Sequence, residues 1–222
     1  MSGFLWFFVV FALLVVATSL YSAHIARKRT ELMTGYAAQR EWRLTPERAE
    51  LVDRFRGDPF GKGRERRAYN VIEGEYEGHV FTAFDYSYLT GSGDSRQRHT
   101  CSVAAIHLGC SVPMLHVGPT GPFSRLFTGL FGHDVEVGQP DFDEAFTVRC
   151  DSVDFAHDVL DADMTAMLMY QSDRAFRLEG DSLLMFRNGE HTPEEVDQVL
   201  ASMKAIIDQI PSRVWDRLRG DT

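Results

Sequence analysis

The sequence predicts an α+β fold, in which one apolar N-terminal helix precedes a domain built on an antiparallel sheet with amphipathic helices. Three observations carry this expectation. Residues 4–21 (FLWFFVVFALLVVATSLY) run without a charge and end shortly before Arg27, Lys28 and Arg29. Residues 79–90 alternate Val80, Thr82, Phe84, Tyr86 and Tyr88 with the opposite face, the period-two pattern of a strand. Residues 193–210 repeat apolar side chains at Val196, Val199, Leu200, Met203, Ile206, Ile207 and Ile210, the spacing of an amphipathic helix.

At about 1.5 Å per residue, residues 4–26 reach roughly 34 Å as a helix, enough to cross a hydrocarbon core of about 30 Å. A cleaved secretory signal would need a basic n-region, a shorter apolar stretch and a small-residue cleavage site. Met1-Ser2-Gly3 has no basic side chain and residues 22–26 (SAHIA) match a cleavage site poorly, so a retained single-pass transmembrane anchor is expected. All nearby Lys and Arg lie on its C-terminal side, which by the positive-inside rule places the rest of the chain in the cytoplasm. Residues 27–67 hold 12 Lys or Arg against 7 Asp or Glu, whereas residues 68–222 hold 11 against 25. An anionic inner leaflet attracts such a basic stalk and repels the acidic body. Cys101, Cys110 and Cys150 are too few and too oddly numbered for a disulfide framework, which fits a reducing compartment, and buried unpaired thiols are expected.

The expected domains are the anchor (1–26), a basic helical juxtamembrane stalk (27–63) and an acidic α+β domain (64–222). Within the stalk, Leu32, Met33, Tyr36 and Ala37 form a short apolar stripe that extends the first helix. Thr45 with Pro46 reads as the start of a second helix carrying Leu51, Val52 and Phe55 and ended by Gly57. Strands follow at 68–72, a turn around Gly74, then 79–90, 100–108 and 113–117, the last two separated by Gly109. Residues 122–130 read as a short helix and 146–150 as a strand. Asp151 or Ser152 caps a helix over 155–160 and Asp161 one over 164–170. Residues 175–178 and 183–187 read as a hairpin around Gly180-Asp181. Thr192-Pro193-Glu194-Glu195 supplies a cap, a first-turn proline and a capping-box glutamate for the helix over 193–210, and residues 212–218 add a terminal turn burying Trp215. Strands in hairpins and helices in separate blocks make an α+β domain. Seven strands closed by one amphipathic helix also fit a pleckstrin-homology-like half-barrel with insertions.

No catalytic, metal or cofactor site is expected. His99, Cys101, His107, Cys110 and His116 lack the paired spacing of a zinc site. Asp151, Asp154, Asp158, Asp161 and Asp163, with His157, do not fit a calcium loop and read as helix caps and a solvated face. Gly57, Gly61 and Gly63 match neither phosphate-binding nor dinucleotide fingerprints. Ser87, Ser92 and Ser95 lie near Asp94 and His99, without a nucleophile elbow. Tyr69, Tyr76, Phe81, Phe84, Tyr86 and Tyr88 read as sheet core, since an acidic domain is unsuited to nucleic acid.

Asn70-Val71-Ile72, Gly78-His79-Val80-Phe81, Asp85, Phe142, Phe146-Thr147-Val148, Asp151, Phe155-Ala156, Val159-Leu160 and residues 164–168 together resemble a bacterial membrane-protein family, the domain of unknown function numbered 3137. The resemblance implies a membrane-tethered α+β domain and no activity. Paired N-terminal hydrophobic segments are common in that family, whereas this chain has one. The expected role is therefore a bacterial inner-membrane protein whose cytoplasmic domain binds a protein partner or scaffolds an assembly. The rival is a membrane-surface, hydrolase-like enzyme without a recognisable motif.

Overall fold

The structure, a computed structural model, describes residues 2–120, 132–170 and 175–220; the helix expected over 122–130 lies outside them. In chain order the elements are α1 (Ser2–Gln39), β1 (Arg43–Glu47), β2 (Arg64–Tyr76), β3 (His79–Thr90), β4 (Gln97–Pro119), β5 (His133–Val135), α2 (Pro140–Ala145), β6 (Phe146–Cys150), α3 (Val153–Val159), α4 (Ala162–Tyr170), β7 (Phe176–Asn188), α5 (Pro193–Gln209) and α6 (Ser212–Arg219). The fold is α+β, with seven strands in one antiparallel sheet ordered β1-β2-β3-β4-β6-β5 and β7 also paired to β4. A half-barrel would keep consecutive strands adjacent. Here β4 pairs with both β6 and β7 at Leu115, His116 and Val117, and so stands between them.

α1 is one 38-residue helix. Counted over the described residues alone, no helix is long and apolar enough to cross a membrane, and the side chains of Phe4, Leu5, Ala12, Val15 and Ser19 lie outside that description. Trp6, Phe7, Phe8, Phe11, Leu13 and Leu14 are exposed, while Met33, Tyr36 and Ala37 further along are buried in the core. The stripe expected in the stalk is thus core, apart from Leu32, which is exposed.

Both faces of the sheet are covered, because β3 alternates between two apolar clusters. Phe81 and Ala83 join the larger one, with Met33, Tyr36 and the buried face of α5, Val196, Leu200, Met203, Ile206 and Ile207. Phe84, Tyr86 and Tyr88 point the other way, onto Leu51, Phe55 and Phe60. Phe81, Phe84, Tyr86 and Tyr88 are therefore sheet core, Tyr76 packs half-buried against it, and Tyr69 is half-buried with its hydroxyl donating to Glu190.

Several boundaries differ from expectation. Residues 43–47 are a strand, not a helix, because β1 sits at the sheet edge and pairs only with β2, where Pro46 needs no ladder N–H. The stalk is consequently not a separate helical element: β1 and the 3-10 turn at Ala49–Leu51 belong to the domain. Gly74 lies inside β2, where the Trp42 ring occupies the space of a side chain; a Cβ there would clash with Trp42 Cδ1. The turn falls at Glu77-Gly78 instead. β4 runs unbroken through Gly109, and β7 through Gly180, because the two strands pair along both halves and shift register together between His107 and Leu115. A chain read alone sees two breaks. The ladder bridges them. Val214, not Trp215, is the buried residue of α6.

The remaining caps follow the sequence. Ser152 Oγ accepts from the Phe155 N–H and Asp161 Oδ1 from the Met164 N–H. Thr192 and Glu195 exchange bonds in a capping box at the start of α5.

Candidate functional site

Two polar assemblies stand out against this apolar frame. The first joins α1 to the sheet. Asp85, fully buried on the α1 side of β3, accepts from Arg29 Nη2 at 2.6 Å, Asn70 Nδ2 at 2.9 Å and the His191 N–H at 2.8 Å. Arg29 also donates to the His191 carbonyl at 2.8 Å and lies 3.4 Å from Glu190. His191 Nε2 donates to the Val103 carbonyl at 3.0 Å, and burial holds its pKa below the ordinary value. Three segments far apart in the chain meet at one carboxylate. Further along α1, Tyr36 Oη and Arg40 Nη2 both donate to Asp197 of α5, at 2.8 and 2.7 Å. Burial, then the Asp197 carboxylate, raises the Tyr36 pKa, so the phenol stays a donor. α1 is therefore latched at two heights.

The second assembly lies on the opposite face of the sheet. The register sets Arg177, His116, Arg149 and Asp134 side by side across β7, β4, β6 and β5. Arg177 is fully buried, its guanidinium 5.6 and 5.4 Å from the Phe60 and Phe186 ring centroids, with Nε 3.1 Å from Glu179. Burial, then the Arg177 charge, pushes the His116 pKa down to about 3. Asp58, also buried, pairs with Lys62. Next to Glu179, a groove of about 790 Å³ lies between Arg54, Phe55 and Arg56 on one segment and Met114 and Glu179 on the strands. The Glu179 carboxylate accepts from the Arg56 N–H at 2.9 Å. Sequence reading missed Arg177; the alternation Phe176-Arg177-Leu178 signals only that it opposes the core, and its burial depends on residues 58–60 folding over it.

The residues weighed for chemistry are dispersed. His99 stacks on Tyr88 and bonds Thr90 Oγ1 at 2.7 Å, and His107 lies 3.2 Å from Asp181. Ser87 is buried and accepts from Arg98, while Ser92 and Ser95 bond each other in the turn after β3. The side chain of Asp94 lies outside the described residues. Asp158 pairs with Arg217 and Asp161 caps α4. Among the described residues no group of three or more His, Cys, Asp or Glu is placed to hold a metal ion. Cys101 and Cys150 are buried, and Cys110 is half-buried, a departure from the expected three buried thiols. Burial pushes the Cys101 thiol up to about 12.

A solved structure shares this architecture. The mycobacterial trehalose monomycolate transport factor A aligns with a TM-score of 0.62 over 83% of this chain and 97% of that one, at 14% identity. At that identity the likeness establishes the fold alone. No family model and no curated protein matches the chain. The functional reading therefore rests on this molecule's own geometry, in which His116, His191 and Cys101 are buried, and His191 and Cys101 border two separate pockets. Among the described residues outside α1, the exposed large apolar side chains are scattered, at Val80, Val153, Met169 and Tyr170.

Proposed function

We propose that this chain is a single-pass protein of the bacterial inner membrane, anchored by residues 4–26, whose cytoplasmic domain is a rigidly mounted adaptor for a protein partner. The observation that carries the reading is the latch of Arg29 on Asp85, which begins a few residues after the apolar run ends. A flexible tether would need no buried carboxylate there. A helix bonded to Asp85 and Asp197 instead holds the domain at a fixed height and angle. Outward-facing Trp6, Phe7, Phe8 and Phe11, with no charge from residue 4 to 21, suit hydrocarbon better than water. Arg27, Lys28 and Arg29 support the cytoplasmic orientation.

For the partner, the groove between Arg54-Arg56 and Met114-Glu179 supplies both charge signs beside apolar contact area. It lies near the bend of β4 and β7, away from the end of α1 that enters the bilayer. Kinship with the family resembled above is part of the same reading. Enzymatic action is the rival, and burial of the perturbed groups speaks against it.

The test has two arms. A periplasmic phosphatase fused after Thr222 is expected to be inactive; activity there overturns the orientation. A partner recovered with the detergent-solubilised full chain is expected to be lost from an Arg54→Glu, Arg56→Glu variant that still folds. Equal recovery overturns the groove as the binding surface.

A further inference from the structure

The α1 side of β3 carries Phe81, Ala83, Asp85, Ser87 and Leu89 in succession, and two contacts fix how strand and helix run past each other. Trp42, just beyond α1, packs with its ring centroid 4.7 Å from that of Phe81, and Arg29 reaches Asp85. α1 thus leads away from its apolar segment while β3 returns toward it. Leu89 lies about 13 Å beyond Asp85 along β3, and the same rise along α1 leads from Arg29 back to about Leu20, where the apolar run ends. The end of the β3–β4 hairpin therefore comes level with the last turns of the 4–26 segment, where the helix passes into the headgroup layer.

That end is basic. The register places Arg64 and Arg98 on either side of Leu89, with Arg96 in the adjoining turn. Residues 61–67 and 91–98 hold six Lys or Arg, of which Lys62, Arg66 and Arg67 pair with Asp58, Asp53 and Glu47, leaving Arg64, Arg96 and Arg98 in a chain whose residues 68–222 are otherwise strongly acidic. Arg64 and Arg96 are exposed and form no ion pair among the described residues, and Arg98 meets Glu65 only at 3.7 Å, with both side chains at least half exposed.

We infer that Arg64, Arg96 and Arg98, around Leu89, rest on the anionic headgroups of the same bilayer that holds α1. The inference rests on the anchor reading proposed above and adds a second, electrostatic contact to it. Charge complementarity selects the occupant, because an anionic leaflet draws in exposed Lys and Arg within a Debye length of its surface. The latches select the place, since a domain bonded to α1 cannot swing its hairpin away.

The test uses the full chain in lipid nanodiscs, in a Cys110→Ser background so that only buried native thiols remain. A fluorophore is carried on Gln97→Cys, or separately on Ile25→Cys, with nitroxide lipids labelled near the headgroup as quenchers. The Gln97 label is expected to be quenched about three-fold more in discs with about 30% phosphatidylglycerol than in phosphatidylcholine alone. Arg64→Gln, Arg96→Gln and Arg98→Gln together should return it to the phosphatidylcholine level, while the Ile25 label stays quenched throughout. A quenched Ile25 label with an unquenched Gln97 label overturns this inference alone, as does equal quenching of Gln97 in neutral discs or in the triple variant. An unquenched Ile25 label overturns the anchor and this contact with it.

Discussion

Arg29 Nη2 stands 2.6 Å from Asp85 Oδ2, 56 residues away in the chain, and the carboxylate it meets is fully buried. The pair couples a helix that starts in an apolar segment to the centre of a sheet. Its energetics are those of a buried ion pair whose removal leaves a charge behind. Arg29→Ala would leave Asp85 with Asn70 and the His191 N–H as its donors. The expected loss is about 2 to 4 kcal/mol, somewhat below the full range for breaking a buried pair because Arg29 keeps some solvent contact. Urea unfolding of a fragment spanning residues 26–222 measures it. A loss under about 0.5 kcal/mol would mark the pair as an ordinary surface bridge.

Neither residue is recognisable in the sequence as half of this contact. Thr192-Pro193-Glu194-Glu195 states its helix start locally, because cap, proline and glutamate all act within one turn. The alternation from Val80 to Tyr88 states its strand for the same reason. Thr45-Pro46 misleads, since a proline at a helix start and a proline on an edge strand look alike until the neighbouring strand is known. Gly109 and Gly180 mislead in the same way: each reads as a break, and pairing along both halves carries β4 and β7 through them. Arg177 was illegible because what buries it, Phe60 and Asp58, arrives from another segment. Local chemistry is written in the chain. Long-range pairing is not.

Where the folded domain begins is a direct consequence of the packing of α1. Met33 and Tyr36 belong to the main core cluster, with Ala37 buried beside them, so a fragment starting at residue 43 lacks part of its own core. Two such large side chains contribute about 1.5 to 3 kcal/mol each when buried. The fragment from residue 43, which also lacks Arg29 and so leaves Asp85 without its cation, is expected to lose about 5 to 10 kcal/mol relative to one from residue 26, seen as a lower urea midpoint. Equal midpoints would mean that α1 merely leans on the domain.

α5 closes the sheet from the same side. Ile206 is buried, so Ile206→Ala is expected to destabilise the fragment from residue 26 by about 2 to 5 kcal/mol. Unchanged stability would remove α5 from the core and make its apolar face a candidate partner surface.

The thiols separate by burial. Cys101 and Cys150 are buried, and the Cys101 Sγ lies 3.7 Å from the Tyr86 carbonyl, to which it donates. With its pKa pushed up to about 12, Cys101 holds almost no thiolate at neutral pH. A maleimide at pH 7 is expected to label Cys110 in the native protein and the other two only after denaturation, as resolved by mass spectrometry of the peptides. Rapid native labelling of Cys101 would show that the covering segment opens readily.

His116 gives the domain a dependence on pH whose sign can be worked out. Burial, followed by the Arg177 and Arg149 charges, depresses its folded pKa to about 3, against an unfolded value of about 6.5. Above about pH 6.5 the imidazole is neutral in both states and has no effect. Between there and pH 3 the unfolded chain takes up a proton that the folded chain refuses, so stability falls as the solution is acidified. His191, whose pKa is also lowered by burial, acts in the same direction and remains in a His116→Gln variant. That variant is therefore expected to lose less stability between pH 7 and pH 4.5 than the wild type, while still declining. Urea midpoints for both at the two pH values decide the matter. Parallel declines would mean that His116 is protonated in the folded domain, and that the row of Arg177, His116 and Arg149 is open to water.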